Sequence, residues 1–293
     1  MENHQLNGWI IINELHTTSP KFVDTCNAFF DACKKRNVRL SLKTNSQFAT
    51  LLYEDFSKPD FVLFWDKDIR LAKELETRGI RVFNSAQAIE DCNDKYVTFL
   101  KLFNSGIKMP KTLIAPMVYY PQDWQHSTFV KQAEDTLGYP LIAKECYGSF
   151  GKQVFLCENR EQLCKVINGF AKRPFLLQEF ISFSRGRDLR LQVVGNKVVA
   201  TMMRYNEDDF RANVTNGGKM KNFCPTPQQV QIALLACKLL SLDFGGVDIL
   251  FGENDEPILC EVNSNAHFIN LSNCTGINVA DEIILYLLGE ICR

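Results

Sequence analysis

The stretch from Gly246 to Asn263 constrains this chain more than any other. Folded about Asn254-Asp255, it makes a β-hairpin that sets Phe251 against Ile258, Ile249 against Cys260 and Val247 against Val262, so that one face is wholly apolar. The other face opposes Leu250 to Leu259 and Asp248 to Glu261, with Asn263 beside Glu261. Directly opposed side chains have Cβ atoms roughly 4.5–5.5 Å apart. Two carboxylates at that spacing in an apolar sheet repel each other unless a cation sits between them. The donors are all oxygen, which suits Mg²⁺ or Mn²⁺ over zinc or copper. Mg²⁺ takes few protein oxygens and completes its shell with substrate phosphates, so the hairpin points to a nucleotide. The competing reading, a hairpin face turned to solvent, fits poorly with so apolar a setting.

Upstream, the pattern alternates. Trp9 to Ile12, Val38 to Leu42, Phe61 to Trp65 and Ile80 to Phe83 read as strands. Between them lie a helix after Ser19-Pro20, with Phe22, Cys26, Phe29, Phe30 and Cys33 at helical spacing, and another from Ile69 to Arg78 stopped by Gly79. Strand, helix, strand with short joins predicts a parallel α/β sheet over residues 1–92. No Gly-x-Gly-x-x-Gly follows the first strand, so no dinucleotide site is expected there. A helix at Lys95–Asn104 and a proline-punctuated connection lead to a smaller α+β lobe, 93–178. Its strands are Leu141–Glu145, Val154–Cys157 and Phe175–Gln178, and its helices Phe129–Leu137 and Arg160–Phe170. Residues 179–293 form a second α+β lobe, with strands at Leu189–Val194, Lys197–Met203, Val247–Phe251 and Ile258–Val262 and helices at Pro227–Leu240 and Val279–Ile291.

Lys144 ends the first strand of the middle lobe and is followed by Gly148 and Gly151. The segment is not a P-loop, yet a glycine turn between two strands can close its N–H groups over phosphates, with Lys144 on their charge. An ordinary glycine hairpin has the same pattern. Asp94-Lys95 heads a helix. Arg185, Arg187, Arg190, Arg204 and Arg211 cluster in the last lobe, where strand alternation can aim Arg190 and Arg204 into one cleft or onto a solvated face.

Charge and composition exclude several classes. Thirty-three Lys plus Arg against thirty-four Asp plus Glu leave a net charge of −1, with no general field for nucleic acid or anionic lipid. Apolar runs such as Ile283–Leu288 fall far short of the roughly 20 residues of a membrane helix. The polar start lacks a secretory core, and the eleven cysteines form no Cys-x-x-Cys pair. Reduced thiols and a cytoplasmic location are expected.

Three stretches together resemble the RimK-type carboxylate–amine ligases of the ATP-grasp superfamily. They are Tyr139-Pro-Leu-Ile-Ala-Lys144 with the Gly148/Gly151 flap; Gln178-Glu-Phe-Ile181 with Gly186-Arg-Asp-Leu-Arg190 and Val193 to Ala200; and Phe210-Arg-Ala-Asn213 with Gly217-Gly218, Gly246-Val-Asp248 and Glu261-Val-Asn263. The likeness runs from about Pro59 to Arg293. It implies an ATP-grasp fold behind an N-terminal pre-ATP-grasp lobe, and a dimer or tetramer. It implies that Lys95 and Lys144 hold ATP phosphates under the Gly148–Gly151 loop, that Glu179 and Phe180 read the adenine with Asp188 near the nucleotide, and that Arg211 and Asn213 reach the phosphate end. Asp248, Glu261 and Asn263 would hold two Mg²⁺ ions. Arg190, Arg204 and Arg211 would steer carboxylates and stabilise charge while an amino acid, peptide or protein tail is joined through an acyl phosphate.

This chain departs from the glutamate-adding members at three points. Thr215-Asn216 precede Gly217-Gly218 where those ligases show His-Arg, Ser264-Asn265-Ala266-His267-Phe268 replaces Val-Ser-Pro-Gly-Phe, and Ser182-Phe183 stand where an acidic residue is usual. The ATP chemistry is expected to be intact and the amine substrate to differ. His267 is either a substrate contact or a surface loop residue.

Overall fold

The structure, a computed structural model, describes residues 5–53, 55–148, 151–214 and 217–292. Strands β1 (Asn7–Ile12), β2 (Arg39–Thr44), β3 (Phe61–Phe64) and β4 (Val82–Phe83) form a parallel sheet in the order β2-β1-β3-β4. Helix α1 (Pro20–Lys34) follows β1, and α2 (Ile69–Thr77) follows β3. Pro20 occupies the first turn of α1, although the Ser19 side chain makes no cap bond. The middle lobe is antiparallel, in the order β5-β8-β6-β7, from β5 (Thr112–Ile114), β6 (Leu141–Glu145), β7 (Val154–Cys157) and β8 (Phe175–Glu179). Its helices α5 (Thr128–Leu137) and α6 (Arg160–Gly169) close over Trp124, Leu163, Phe170 and Phe175.

The third sheet is also antiparallel, in the order β11-β10-β9-β12-β13, from β9 (Arg187–Val194), β10 (Lys197–Tyr205), β11 (Lys219–Asn222), β12 (Phe244–Phe251) and β13 (Pro257–Asn263). Its two faces separate by alternation. Leu189, Leu191, Val193, Val247 and Ile249 pack against Ala233, Ala236 and Cys237 of α7 (Pro227–Leu239). On the opposite face Val194, Met202 and Phe244 share a core with Phe29, Trp65, Phe268 and Ile283, and Trp65 stacks on Phe244 at 5.7 Å. The N-terminal sheet is therefore bonded through one core to the C-terminal lobe. Asn84, fully buried, joins the two: its Oδ1 accepts from the N–H of Asp243 at 2.7 Å, and its Nδ2 donates to the carbonyl of Ser264 at 3.0 Å.

Four elements were not expected from the sequence: α3 (Ala86–Asn93), β5, β11 and α8 (Ile269–Thr275). Each is short, and β5 sits in the connection that the prolines mark as extended; its pairing with β8 is a tertiary fact that local pattern does not carry. The remaining helices are α4 (Lys95–Leu102) and α9 (Val279–Ile291). All eleven cysteines are free thiols. No helix among the described residues is long and apolar enough to cross a membrane.

Candidate active site

The middle and C-terminal sheets and the N-terminal lobe enclose a cavity of about 450 Å³. Every residue assigned a site role from the sequence lines it: Lys95, Lys144, Gly148, Gly151, Glu179, Phe180, Asp188, Arg190, Arg204, Arg211, Asn213, Asp248, Glu261 and Asn263. Strand register explains the convergence. Across the sheet, Met202, Arg190, Asp248 and Glu261 form one row over β10, β9, β12 and β13, and Asn263 stands one row away, opposite Gly246.

The hairpin register departs from expectation beyond Asp248. Gly246, Val247 and Asp248 pair with Asn263, Val262 and Glu261 as predicted, but a bulge at Cys260 then puts Ile249 opposite Leu259, Leu250 opposite Ile258 and Phe251 opposite Pro257. The extra residue turns Cys260 off the apolar face and into the cavity beside Glu261. A second correction concerns the charge facing Asp248. Arg190 holds both of its oxygens, through Nε to Oδ1 and through Nη2 to Oδ2 at 2.8 Å, and Arg204 Nη2 reaches Oδ2 at 3.0 Å. The cation that the sequence argument demanded is thus supplied to Asp248 by guanidinium. Burial opposes its charge, yet the two arginines hold its carboxyl below the usual range. Arg204 also grips Asp188, at 2.6 and 2.7 Å, so the expected nucleotide contact Asp188 is committed within the wall.

The cations at the other end are positioned by oxygen acceptors. Lys144, buried on β6, donates to Gln178 Oε1 at 2.8 Å, and burial lowers its pKa against the pull of Cys260 and Glu261. Lys95 heads α4 behind its Asp94 cap and donates to the Gly148 carbonyl at 3.0 Å; its Nζ lies 4.0 Å from Glu261. Arg211 is bidentate on Asp209, with Nη2 to Oδ2 at 2.7 Å, and its Nη1 donates to the Gly151 carbonyl at 2.8 Å, joining the C-terminal lobe to the flap. Ser149 and Phe150 of the flap, and the departure at Thr215-Asn216, lie outside the described residues. Glu179 ends β8, where its carboxylate accepts from the N–H of Lys111 at 3.1 Å, and Phe180 packs edge-on against Phe210.

The donor set fits Mg²⁺. Glu261 and Asn263 present hard oxygens to the cavity, and the Lys95 ammonium lies 4.0 Å from Glu261. Among the described residues no group of three or more acidic, histidine or cysteine side chains is arranged to hold a metal ion by itself. Mg²⁺ needs none when phosphate oxygens supply the rest of its shell.

Sequence reasoning missed the N-terminal contribution. His16, Lys21, Trp65, Asp66 and Lys67 line the same cavity. Burial lowers the Lys67 pKa, Glu261 opposes that fall, and Lys95 adds to it. A signal was present, because ligands of parallel α/β sheets bind beyond the carboxyl ends of the strands, and these residues follow β1 and β3. His267 is no surface loop residue: it lines the cavity, half-buried, 3.4 Å from Thr25 Oγ1.

The chain matches the RimK-like ATP-grasp domain over residues 92–287. It is 31% identical over 265 residues to a Mycoplasma pneumoniae protein described as an uncharacterized MG012 homolog, covering 87% of this chain and 90% of that one. It is 35% identical over 218 residues to a probable alpha-L-glutamate ligase of Legionella pneumophila, covering 73% of this chain and 69% of that protein. Its fold is that of the crystal structure of a D-alanine–D-alanine ligase from Bacillus anthracis, with a TM-score of 0.75 at 14% identity and 98% of each chain covered. Fold and sequence agree: the chain belongs to the RimK-like ATP-grasp family and is an ATP-dependent ligase that forms carbon–nitrogen bonds.

Proposed function

We propose that this ligase activates a carboxylate by taking the γ-phosphoryl group of ATP, and joins the resulting acyl phosphate to the amine of an amino acid or peptide. The observation that carries this reading is the meeting of cations and oxygen donors from both sheets around one cavity. Lys144, Lys95 and Arg211 hold the phosphates, the last two also donating to the carbonyls of Gly148 and Gly151. Glu179 and Phe180 flank the base, and Asn213 lies at the phosphate end. Asp248, Glu261 and Asn263 would hold two Mg²⁺ ions, or Mn²⁺ in their place, with Asp248 giving up part of its pairing with Arg190 and Arg204. Bound there, the metal would supply charge neutralisation for the transferring phosphoryl group.

The protein's own work is to bring two anions together. Arg190 stands in the row that carries Asp248 and Glu261, and Arg204 on β10 reaches the same Asp248 from opposite Asp188, where a substrate carboxylate must approach the phosphorus. The carboxylate oxygen attacks the γ-phosphorus and ADP leaves. The amine then attacks the acyl carbon, loses a proton and expels inorganic phosphate. Screening amino acids and peptides with ATP should give amide, ADP and phosphate together only when both substrates are present. A carboxylate labelled with heavy oxygen should pass one labelled atom to phosphate. ADP accompanied by a stable phosphorylated product, with no amide, would overturn the reading.

A further inference from the structure

The far end of the cavity is built from two segments that no phosphate role explains. Helix α1 supplies Lys21 and, one turn later, Thr25, whose hydroxyl donates to the Lys21 carbonyl at 2.9 Å. The loop after β13 supplies His267, with Nδ1 3.4 Å from that same hydroxyl. Since the Thr25 proton is committed to the carbonyl, its oxygen faces the ring as an acceptor. Nδ1 is then the protonated nitrogen, and Nε2 keeps its lone pair.

The loop itself is fixed. Ala266 packs over Gly246, where a Cβ would stand 2.4 Å from the alanine Cβ; Asn265 donates to the Asp66 carbonyl at 2.7 Å, and Phe268 lies in the shared core. Lys21, His267 and Arg190 all line the cavity. Burial and then Arg190 lower the Lys21 pKa to about 8; burial, Lys21 and Arg190 hold His267 neutral, at about 3. A ligand at this end therefore meets one ammonium and one neutral nitrogen acceptor, in a field set by Lys21, since Arg190 is paired with Asp248. Such a field favours a bound carboxylate and disfavours an ammonium, leaving an incoming amine in the uncharged form that can attack.

We propose that the α1 side of the cavity is the subsite of the amine substrate, with Lys21 taking a carboxylate of the incoming amino acid and His267 Nε2 accepting an N–H from its amine. This rests on the ligase reading above and assigns to the N-terminal lobe the choice of nucleophile.

The test compares glycine, alanine and glutamate with glycinamide, alaninamide and isoglutamine, which lack the α-carboxylate. Binding to the full chain is measured by calorimetry with Mg²⁺ and a non-hydrolysable ATP analogue at fixed ionic strength. The wild type should bind at least one acid about tenfold more tightly than its amide twin. Lys21→Met should bring that ratio close to one, while Lys21→Arg should keep most of it; equal thermal stability of the two variants excludes misfolding as the cause. His267→Gln, which retains an acceptor, should bind the acids better than His267→Phe. Amides bound as well as acids by the wild type, or an unchanged ratio in Lys21→Met, overturns the proposal. Failure of the ligase reading would look different: the acid preference would persist, but no amide would form with any carboxylate donor.

Discussion

The two ends of the cavity are built in opposite ways. At the end proposed to hold phosphate each cation is already tied to protein oxygen: Lys144 to Gln178, Lys95 to the carbonyl of Gly148, and Arg211 to Asp209 and Gly151. Their charges are placed before any nucleotide arrives, so little reorganisation remains for the reaction itself. At the α1 end the polar groups come from segments more than 240 residues apart in sequence, held together by the docking of the N-terminal lobe and by one 3.4 Å contact. The side chains proposed to hold phosphate come from the middle and C-terminal lobes, on strand β6, at the head of α4 and on the chain after β10; those proposed to face the second substrate lie where the N-terminal and C-terminal lobes meet. The first end should resist change until it fails outright, and the second should be tunable.

The largest effect should come from Asp248→Asn. Asp248 is buried and closes a network with Arg190, Arg204 and Asp188, so neutralising it leaves buried guanidinium charge uncompensated. Breaking such a pair costs about 3–5 kcal/mol, to be read as a lower denaturation midpoint, in addition to loss of turnover. Glu261→Gln separates the two consequences. Glu261 is more exposed and only loosely paired, so turnover should fall about 10²–10³-fold while the midpoint holds. A fully active Glu261→Gln enzyme would remove that residue from the metal role. Next in size, Lys144→Ala should raise the ATP KM about 10–100-fold, equivalent to about 1.4–3 kcal/mol, with no change in the KM for the amine. An amine KM that moved with it would erase the division between the two ends.

That division also decides what could be read from the sequence. The row Asp248–Glu261 and the placing of Asn263 follow from strand alternation alone, and the strand Leu141–Glu145 with Lys144 next to its end follows from a short apolar run. Local pattern could not foresee the bulge at Cys260, because an extra residue in a strand leaves no mark on composition, and it turned a thiol expected in the core into part of the cavity wall. Nor could it show that Asp248 is met by Arg190 and Arg204, since that pairing depends on the order β10-β9-β12 within the sheet. Lys21, Thr25 and His267 were least accessible of all. Their meeting requires the core that Trp65, Phe244 and Phe268 share, a contact between the two lobes that no periodicity encodes.

The smallest effect distinguishes the two ends by pH. His267 is held neutral to about pH 3 by burial and by the charges of Lys21 and Arg190, against an ordinary value of 6.5. Below pH 6.5 the unfolded chain binds a proton that the folded ring refuses. The stability contributed by the neutral ring is therefore complete above pH 6.5 and is lost as pH falls toward 3. His267→Asn should leave stability at pH 7.5 nearly unchanged and should reduce the loss between pH 7 and pH 5 by about 1 kcal/mol, after discounting for partial exposure. Asp248 acts lower on the scale. Its depressed carboxyl contributes stability that is complete above its ordinary value of 3.8 and lost only in stronger acid. Denaturation midpoints of the wild type and His267→Asn should therefore diverge between pH 7 and pH 5. Parallel curves in that window would mean that the ring is already charged in the fold, and that the α1 end offers the substrate two cations instead of a cation and an acceptor.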